Sequence, residues 1–412
     1  MSVKPNILIV GNYNREDVVT AFHALITSFN LYFAEFISYK EETSNYYKTF
    51  GKAVYWSDYN NAFDLLAQIK PHKVLFIFIE SYHHMALSLA CKQLGIKTII
   101  IDHGLRDENI NMRLAKFFVR SPKKTSLIKR TSKVVKQFKE RLRGQLFLIR
   151  TKSHLEKQYQ EFFTEFCKIR SRIGYEKTVI EINSPLCLPN AYISFSEKNS
   201  NGHFPFYLFS HQFESYFIGI PLFDSLPKIN KEERLHQNIL FIDQGLNCRN
   251  LLGWTDSNYS NFLSSLSYNP QFERFKFYIK LHPTQTVENL YLVKNKNFEL
   301  IDDNKLINIL PSTYIIIGFF STYLLPLAAM EHTTVITLEN HPVGKLDVSK
   351  SFIDAGVAHP VYNMQELDWA LQHIDQLHQQ QLPNKPKFTE DWLYKFDGKS
   401  GERLRDILLQ DT

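Results

Sequence analysis

The chain has 412 residues, of which 44% are hydrophobic and 22% are charged, a composition typical of a globular protein with large buried cores. Its length predicts roughly two to three domains. The formal net charge of +6 is mild for this length and no nucleic-acid-binding motif accompanies it, so a DNA- or RNA-binding protein is not expected.

No targeting or membrane-spanning segment is predicted. The N-terminal run MSVKPNILIV holds too short an apolar stretch for a signal peptide. Residues 314–330 form the longest uncharged stretch, but it is short for a membrane span and contains Gly318 and Pro326, so we expect a strand, a turn and a helix there. The chain is therefore predicted to be cytoplasmic, with free thiols at four widely separated cysteines, Cys91, Cys167, Cys187 and Cys248.

Strand-like and helix-like segments alternate in the first part of the chain. Apolar runs without in/out alternation, which are typical of buried strands, occur at residues 6–11, 31–39, 71–80 and 96–104. Helical periodicity lies between them, at residues 17–29, 62–70 and 84–95. Because helices separate the buried strands, the pattern predicts a parallel sheet covered on both faces.

A basic segment follows, at residues 113–143, with twelve Lys or Arg and one acidic residue. Its apolar residues recur at helical spacing, at Leu127, Ile128, Val134, Val135, Phe138 and Leu142. The pattern predicts a basic amphipathic helix, which suits an anionic membrane surface or an acidic polymer. The alternative is a surface helix whose apolar face packs on the domain core. A further helix is predicted at 153–173, a strand at 177–182 and a linker at 225–237.

The second half of the chain repeats the strand and helix pattern. Strands are predicted at residues 238–245, 274–283, 312–320 and 333–339, and helices at 322–332, 364–380 and 400–410. We therefore expect two doubly wound Rossmann-like α/β domains, at 1–225 and 236–412, the second with a terminal helix. Two such domains in tandem suggest the glycosyltransferase-B architecture, with ligands between the carboxyl ends of the strands.

Asp102 follows three isoleucines at the end of a predicted strand, in the run IIIDHGLRD (99–107). A partly desolvated carboxylate has a raised pKa, which suits a general base. Gly104 permits a tight turn and the close approach of a ligand. The alternative for Asp102 is a helix N-cap, a role for which aspartate is favoured.

His282 ends another strand-like run, YIKLHPTQ (278–285). Alternation along a strand points Lys280 and His282 to the same face, and Pro283 restricts the backbone behind the imidazole. An imidazolium in this place can protonate a leaving phosphate oxygen or neutralise its charge. The alternative is a structural histidine at a strand end.

Ser321 and Thr322 follow Gly318 in the run IIIGFFSTY (315–323) and precede a predicted helix. Hydroxyls and free N–H groups at a helix start bind anions, so a nucleotide phosphate fits there, and a helix cap is the alternative. Three further candidates lie at strand ends or just beyond them: Asp243 and Glu80, for the donor or acceptor, and His341, for the nucleotide base or ribose.

The candidate residues come from both predicted domains. A base in one domain, with an imidazole and a phosphate site in the other, is typical of an inverting nucleotide-sugar transferase. The sequence holds no Asp-x-Asp motif that would bind a divalent ion with a nucleotide diphosphate. We therefore expect no metal or other cofactor, and a donor with one phosphate, such as a CMP-sugar, is favoured.

Three short motifs carry a family resemblance: DHG (102–104), HP (282–283) and ST (321–322). They resemble the motifs of bacterial sialyltransferases of the glycosyltransferase-B type, including the capsule polysialyltransferases. Those families have an acidic-acidic-glycine motif in the N-terminal domain, then a His-Pro motif and a Ser-Ser or Ser-Thr pair in the C-terminal domain. Order and domain placement agree over nearly the full length.

The resemblance implies roles for individual residues. Asp102 would be the general base on the acceptor hydroxyl, His282 the general acid or phosphate partner, and Ser321 and Thr322 would hold the CMP phosphate. Residues 1–225 would bind the acceptor and 236–412 the nucleotide sugar. The second acidic position of the family motif is His103 here, which leaves other donors such as CMP-Kdo open.

Two other families resemble parts of the chain. The runs DHGLRDENI (102–110) and FDGKSGERL (396–404) are similar to segments of hydrolysing UDP-N-acetylglucosamine 2-epimerases. Those enzymes usually carry an Asp-Ser-Gly-Gly phosphate loop where this chain has GFFSTY (318–323). The run KLHP (280–283) is similar to a motif of teichoic-acid-type CDP-glycerol glycerophosphotransferases, in which His103 would be the base.

The first hypothesis is an inverting, metal-independent glycosyltransferase. It would move an acidic sugar, sialic acid or a Kdo-like sugar, from a CMP-sugar to a bacterial capsule or lipopolysaccharide glycan. Its acceptor contacts would come from five residues, His103, Gly104, Arg106, Glu80 and Asp243. The basic helix would hold a polyanionic acceptor or dock on the inner face of the membrane. A glycerophosphotransferase, a 2-epimerase-like enzyme and a non-catalytic glycan-binding subunit of a capsule assembly complex are the alternatives.

Overall fold

The computed structural model describes residues 4–35, 42–106, 127–202, 213–228, 238–273, 275–283, 285 and 298–410. Within these ranges the chain forms two parallel sheets with helices on both faces, which confirms the predicted fold class. Of the predicted linker, residues 225–228 are described and 229–237 lie outside the described ranges.

The first sheet has its strands in the order β3-β2-β1-β4-β5-β6-β7, all parallel. Their bounds are β1 (Asn6–Val10), β2 (Asn30–Glu35), β3 (Lys52–Tyr55), β4 (Lys73–Phe76), β5 (Lys97–Ile101), β6 (Ala191–Ser194) and β7 (Glu214–Phe217). The last two strands come from the aromatic stretch 184–225, for which the sequence pattern predicted no element.

The second sheet has the order β10-β9-β8-β11-β12-β15, again all parallel. Its strands are β8 (Asn238–Ile242), β9 (Lys276–Lys280), β10 (Phe298–Ile301), β11 (Ile315–Gly318), β12 (Thr334–Leu338) and β15 (Ala358–Val361). A small antiparallel hairpin, β13 (Asn340–His341) and β14 (Gly344–Lys345), follows β12.

Helices of the first part of the chain are α1 (Glu16–Thr20), α2 (Ala62–Ile69), α3 (Tyr82–Gln93), α4 (Leu127–His154), α5 (Lys157–Arg170), α6 (Tyr175–Ile182) and α7 (Glu197–Asn201). Those of the second part are α8 (Asp256–Ser267), α9 (Asp303–Ile309), α10 (Leu324–Ala329), α11 (Lys350–Asp354), α12 (Met364–Gln372), α13 (Ile374–Gln381), α14 (Lys385–Leu393) and α15 (Ser400–Leu409). Among the described residues, none of the helices combines the length and the apolar character needed to cross a bilayer.

Each sheet is buried on both faces, which explains why the strands read as unbroken apolar runs. Along β1, Ile7 and Ile9 belong to one hydrophobic cluster, and Leu8 and Val10 belong to the cluster on the opposite face. β8 divides in the same way between the two clusters of the second domain. Strands of this kind need helices above and below them, so the carboxyl edge of each sheet is left for ligands.

The prediction of a strand at residues 177–182 is wrong, because this segment lies in α6. Thr178, Val179 and Ile180 favour strands by propensity, but propensity is a weak guide when packing decides. Thr178 and Val179 are buried while Ile180 is exposed, which is the one-sided burial of a surface helix. Asn183 then ends the helix in the left-handed conformation, with φ of 46°.

Several predicted helices have different bounds in the structure. The basic segment predicted at 113–143 forms the first part of α4 from residue 127, and α4 continues to His154, whereas 113–126 lie outside the described residues. The helix predicted at 322–332 has only six residues, in α10. The helix predicted at 364–380 is divided at His373 into α12 and α13.

Helix α15, predicted within residues 236–412, packs against the first domain instead. Leu404 and Leu408 are fully buried in the same hydrophobic cluster as Ile7 and Ile9 of β1. The C-terminal helix therefore joins the two domains, because its chain leaves the second domain and its apolar face is buried in the first.

Candidate active site

The carboxyl ends of the strands of both sheets meet in a cleft between the domains. The backbone N–H of Leu105, in the loop after β5, donates to Thr322 Oγ1 in the loop after β11, at 3.0 Å. A Cβ added at Gly104 would lie 3.7 Å from the same hydroxyl, which is ordinary contact distance. The predicted strand-end loops of the two domains are thus in direct contact.

Asp102 is buried at the end of β5, with 5% of its surface exposed. Its carboxylate accepts hydrogen bonds from the Tyr192 hydroxyl at 2.8 Å, Ser194 Oγ at 2.6 Å and Asn199 Nδ2 at 2.7 Å. Arg106 Nε lies 4.0 Å from it. The carboxylate oxygens therefore accept from two residues of β6 and one residue of α7. These hydrogen bonds hold the loop after β5, which contains Asp102, in place.

His103 is half-buried, whereas its neighbour Asp102 is buried. Its ring packs 6.2 Å from the ring of Phe78. His103 lines a small cavity of about 30 Å³ between the domains, together with Asp102 and Thr322. Of the two neighbours, the imidazole is the more accessible group to an acceptor in the cleft.

Asp243 follows β8 and is buried. Its Oδ1 accepts from the N–H of Gly245 at 3.0 Å and from the Tyr259 hydroxyl, and its Oδ2 accepts from the backbone N–H of His282 at 3.2 Å. This carboxylate holds the loops after β8 and β9 together. These contacts position His282, and the role of Asp243 as a donor or acceptor contact stays a prediction.

His282 is half-buried in a cationic environment. Burial, followed by the nearby charges of Arg249 and Arg15, lowers the pKa of His282 to about 4. The imidazole is therefore neutral at neutral pH in the ligand-free protein. A bound anion would offset the two guanidinium charges and raise the pKa of the ring, which would allow it to take up a proton.

Arg15 and Arg249 were missed by the sequence reasoning. Arg15 lies between β1 and α1 in the first domain, where its Nε donates to Asp17 Oδ1 at 3.1 Å. Arg249 lies between β8 and α8, and no ion-pair partner of its guanidinium is found among the described residues. Each arginine follows the first strand of its doubly wound domain. Their position after a strand end is therefore the feature of the sequence that could have identified them as site residues.

Lys280 ends β9 and is mostly buried. Its Nζ lies 3.3 Å from Asp303 Oδ1 and 5.4 Å from the ring centre of Tyr323. Its charge is therefore shared with a carboxylate and an aromatic face.

Pro283 is exposed, in a turn in which the N–H of Gln285 donates to His282 O at 2.8 Å. This turn fixes the direction in which the chain leaves His282.

Ser321 and Thr322 lie before α10, but the predicted helix-start anion site is not supported by the helix. α10 has only six residues, too few for a substantial macrodipole, and Ser321 Oγ accepts from the N–H of Tyr323 at 3.3 Å. Gly318 allows β11 to lie close to β8, because a Cβ at this position would lie only 3.0 Å from Ile242 O. The two hydroxyls remain at the cleft edge, with Thr322 already bonded across it.

His341 and Glu80 complete the predicted set. His341 is buried, its Nδ1 accepts from Trp254 Nε1 at 3.2 Å, and burial lowers its pKa to about 4. These contacts describe a neutral ring packed inside the second domain. Glu80 follows β4 and is exposed at the carboxyl edge of the first sheet. Its backbone carbonyl accepts a hydrogen bond from Arg170 Nε at 3.3 Å. Glu80 is therefore accessible to a ligand, whereas His341 is enclosed.

Comparisons with known proteins agree with this architecture. A family model described as alpha-2,8-polysialyltransferase (POLYST) matches residues 6–340. The wall teichoic acid polymerase TagF is similar in structure, with a TM-score of 0.54 and 11% identity over 99% of this chain and 89% of that chain. The calicheamicin glycosyltransferase CalG4 has a TM-score of 0.52 and 9% identity over 99% of this chain and 98% of that chain. At such identities these structures show the fold alone, which is the predicted glycosyltransferase-B architecture. Among curated proteins, no sequence matches this chain.

Proposed function

The chain belongs to the alpha-2,8-polysialyltransferase family and is a glycosyltransferase, and we propose that its donor is the CMP-activated form of an acidic sugar, sialic acid or a Kdo-like sugar. The acceptor is a bacterial capsule or lipopolysaccharide glycan, and the transfer inverts the anomeric centre. The observation that carries the proposal is the pair of guanidinium groups, Arg15 and Arg249, whose positive charges act on the neutral ring of His282 in the cleft.

This pair of guanidinium groups suits the charge of such a donor. A CMP-activated acidic sugar carries two separate anions, the phosphate and the sugar carboxylate. Arg249 has no ion-pair partner among the described residues and offers a fork of donors to either anion. His282 is neutral before binding and becomes a better proton acceptor once a phosphate lies beside it. The neighbouring hydroxyls of Ser321 and Thr322 are proposed as further phosphate contacts.

The proposed reaction is a single displacement. A bond forms between the acceptor oxygen and the anomeric carbon while the bond from that carbon to the phosphate oxygen breaks, and CMP leaves with the electron pair. The acceptor proton passes to a base in the loop after β5, and His282 stabilises or protonates the leaving phosphate. No metal ion is assigned a step, because the sequence lacks an Asp-x-Asp motif, so we expect a chelator to leave turnover unchanged.

A second candidate function has one specific observation in its favour. Both residues of the loop after β5, Asp102 and His103, line the cavity between the domains, but the carboxylate of Asp102 is held by three donors, whereas His103 is less buried. A histidine base in this place is what the resemblance to CDP-glycerol glycerophosphotransferases implies. The donor would then be a CDP-alcohol, and a phosphate ester would be formed instead of a glycosidic bond.

Thermal unfolding with nucleotides identifies the nucleotide that the cleft binds. A ligand that binds only the folded protein raises its melting temperature by mass action. We expect CMP to raise it more than CDP, UDP or GDP, and we expect Arg249→Gln and His282→Ala to lose most of this rise. His373→Ala is the matched control, because His373 is half-buried at the end of α12, away from the strand ends.

Turnover then identifies the product. CMP release from CMP-sialic acid or CMP-Kdo in the presence of an oligosialic acid or lipopolysaccharide acceptor would support the proposal, and CMP release from CDP-glycerol alone would support the second candidate. Stabilisation by UDP only would contradict both.

The enzyme is proposed to act in the cytoplasm, at the inner face of the membrane.

A further inference from the structure

Helix α4 carries a stripe of exposed apolar side chains. Its members are Phe138, Leu142, Leu146 and Ile149, with 64%, 50%, 39% and 62% of their surface exposed. The intervals of four, four and three residues place all four side chains on one side of the helix. A contiguous stripe of this kind on a domain surface indicates a binding face, unlike single exposed apolar residues.

The opposite side of α4 holds the helix on the first domain. Phe147 and Leu148 are buried in the core cluster below it, and Thr151 Oγ1 accepts from the N–H of Ala62 at 3.0 Å. The carbonyl of Gly144 lies 3.2 Å from His83 Nε2, in the first turn of α3. Since the buried side is already used in this way, the apolar stripe faces away from the domain.

Basic side chains lie on both borders of the stripe. Lys139, Arg143 and Arg150 follow one border around the helix, and Arg141 and Lys152 follow the other. Over the whole of α4, residues 127–154, the sequence contains nine Lys or Arg and one Glu. An apolar stripe between two cationic borders is the pattern of a helix that lies in the interface of an anionic bilayer, because the long cationic side chains reach the headgroups while the stripe is immersed.

We propose that α4 docks the enzyme on an anionic lipid surface through Phe138, Leu142, Leu146 and Ile149. The cationic borders select a phospholipid surface over another protein face, since they are repelled by a second copy of the same helix. Gly144, which lies within the span of the stripe, contacts the start of α3 just after the carboxyl end of β4, so this part of the helix lies near the carboxyl edge of the first sheet.

Sedimentation with vesicles tests this docking surface. The full chain is mixed with sucrose-loaded vesicles of phosphatidylglycerol and phosphatidylcholine, or of phosphatidylcholine alone, without donor or acceptor. We expect binding to the anionic vesicles that weakens at high salt and is at least about tenfold weaker for neutral vesicles. Because no substrate is present, the result does not depend on the proposed donor.

Two variants separate the contributions of the stripe and its borders. Phe138→Ser with Ile149→Ser removes apolar surface without changing charge, and we expect at least about tenfold weaker binding to anionic vesicles. Arg141→Gln with Arg143→Gln keeps helix-forming residues and should abolish the preference for anionic lipid. Tyr268→Ser, at an exposed residue of the second domain, is the control and should bind as the parent does.

Unchanged melting temperatures and helical content would show that these variants fold. Vesicle binding that is unaffected by Phe138→Ser with Ile149→Ser would overturn the proposal. So would a parent protein that fails to bind vesicles but forms a dimer that this double substitution dissociates, since α4 would then be an interface between copies of the chain.

Discussion

At the scale of single residues, two adjacent side chains of the loop after β5 have different environments. Asp102 and His103 both follow β5, and sequence reasoning placed the base on Asp102 because a carboxylate at a buried strand end is desolvated. The structure places Tyr192, Ser194 and Asn199 around that carboxylate, and none of them is near it in the sequence. The hydrogen-bond partners of Asp102 therefore determine whether its carboxylate can accept a proton from the acceptor. Only the fold brings these residues together.

Substitution of the two neighbours separates their roles. Under the second candidate function, in which His103 is the base, His103→Gln should lower turnover by about 100-fold or more, the usual effect of losing a general base, with an unchanged melting temperature. Asp102→Asn should lower the free energy of unfolding by about 1–3 kcal/mol, because its new amide donor faces three existing donors. Steady-state rates and urea unfolding of both variants provide the comparison. Full activity in His103→Gln, with an inactive but stable Asp102→Asn, would return the base to Asp102.

At the scale of elements, α15 shows how a terminal helix is tied to a distant domain. Lys73 of β4 is buried, and its Nζ donates to the carbonyl of Leu408 at 2.6 Å and to that of Gln410. Carbonyl groups at a helix C-terminus lack partners within the helix, and a cation there also interacts favourably with the helix dipole. At the other end of α15, Asp224 accepts from the N–H groups of Ser400 and Gly401 at 2.9 and 2.7 Å.

Removal of the lysine should loosen this helix. We expect Lys73→Met to lower the free energy of unfolding by about 1–3 kcal/mol, since two carbonyls lose a charged donor in a buried place. Hydrogen exchange should rise mainly in residues 400–410. Lys157→Met, at an exposed position of α5, is the matched control and should change neither quantity. Equal exchange in the parent and in Lys73→Met would mean that the apolar contacts of Leu404 and Leu408 hold α15 without the lysine.

At the scale of the whole molecule, buried ionisable groups make stability depend on pH. Burial strongly lowers the pKa of four histidines, that of His84 to about 3 and those of His83, His282 and His341 to about 4, and it also lowers the pKa of His359. In the unfolded chain a histidine titrates near 6.5, so the unfolded state binds more protons between these values. Each such group lowers the stability of the fold as the pH falls through this window.

Two buried carboxyl groups act in the opposite direction. Burial raises the pKa of Glu35 to about 7 and also raises that of Glu339, so the folded state binds their protons more tightly than the unfolded state does. Their contribution to stability therefore grows as the pH falls through the same range. Four histidines outweigh two carboxyl groups, and the net effect is a protein that is destabilised by acid.

Urea unfolding between pH 7.5 and pH 5 measures this balance. We expect the free energy of unfolding to fall with decreasing pH, because each unbalanced histidine contributes up to about 1.4 kcal/mol per pH unit. His84→Gln should reduce the slope by up to one such contribution. A flat profile between pH 7 and pH 5 in the parent protein would contradict the assignment of neutral, buried histidines.

The amino-acid pattern by itself determined most of the architecture. Unbroken apolar runs identify eight of the strands, β1, β2, β4 and β5 in the first sheet and β8, β9, β11 and β12 in the second, because strands buried on two faces need no polar alternation. The order of strands and helices then predicts two doubly wound domains, and strand ends predict where Asp102, His282, Ser321 and Thr322 lie. The segment 177–182 was misassigned, since β-branched residues occur in helices when packing favours it.

Only the tertiary structure decided the chemistry within the cleft. The approach of Arg15 and Arg249 to His282, the enclosure of Asp102 and the return of α15 to the first domain all join residues far apart in the chain. Local sequence carries the periodicity that sets strands and helices. It carries no record of the angle and distance at which two domains meet, because those are set by packing between distant side chains.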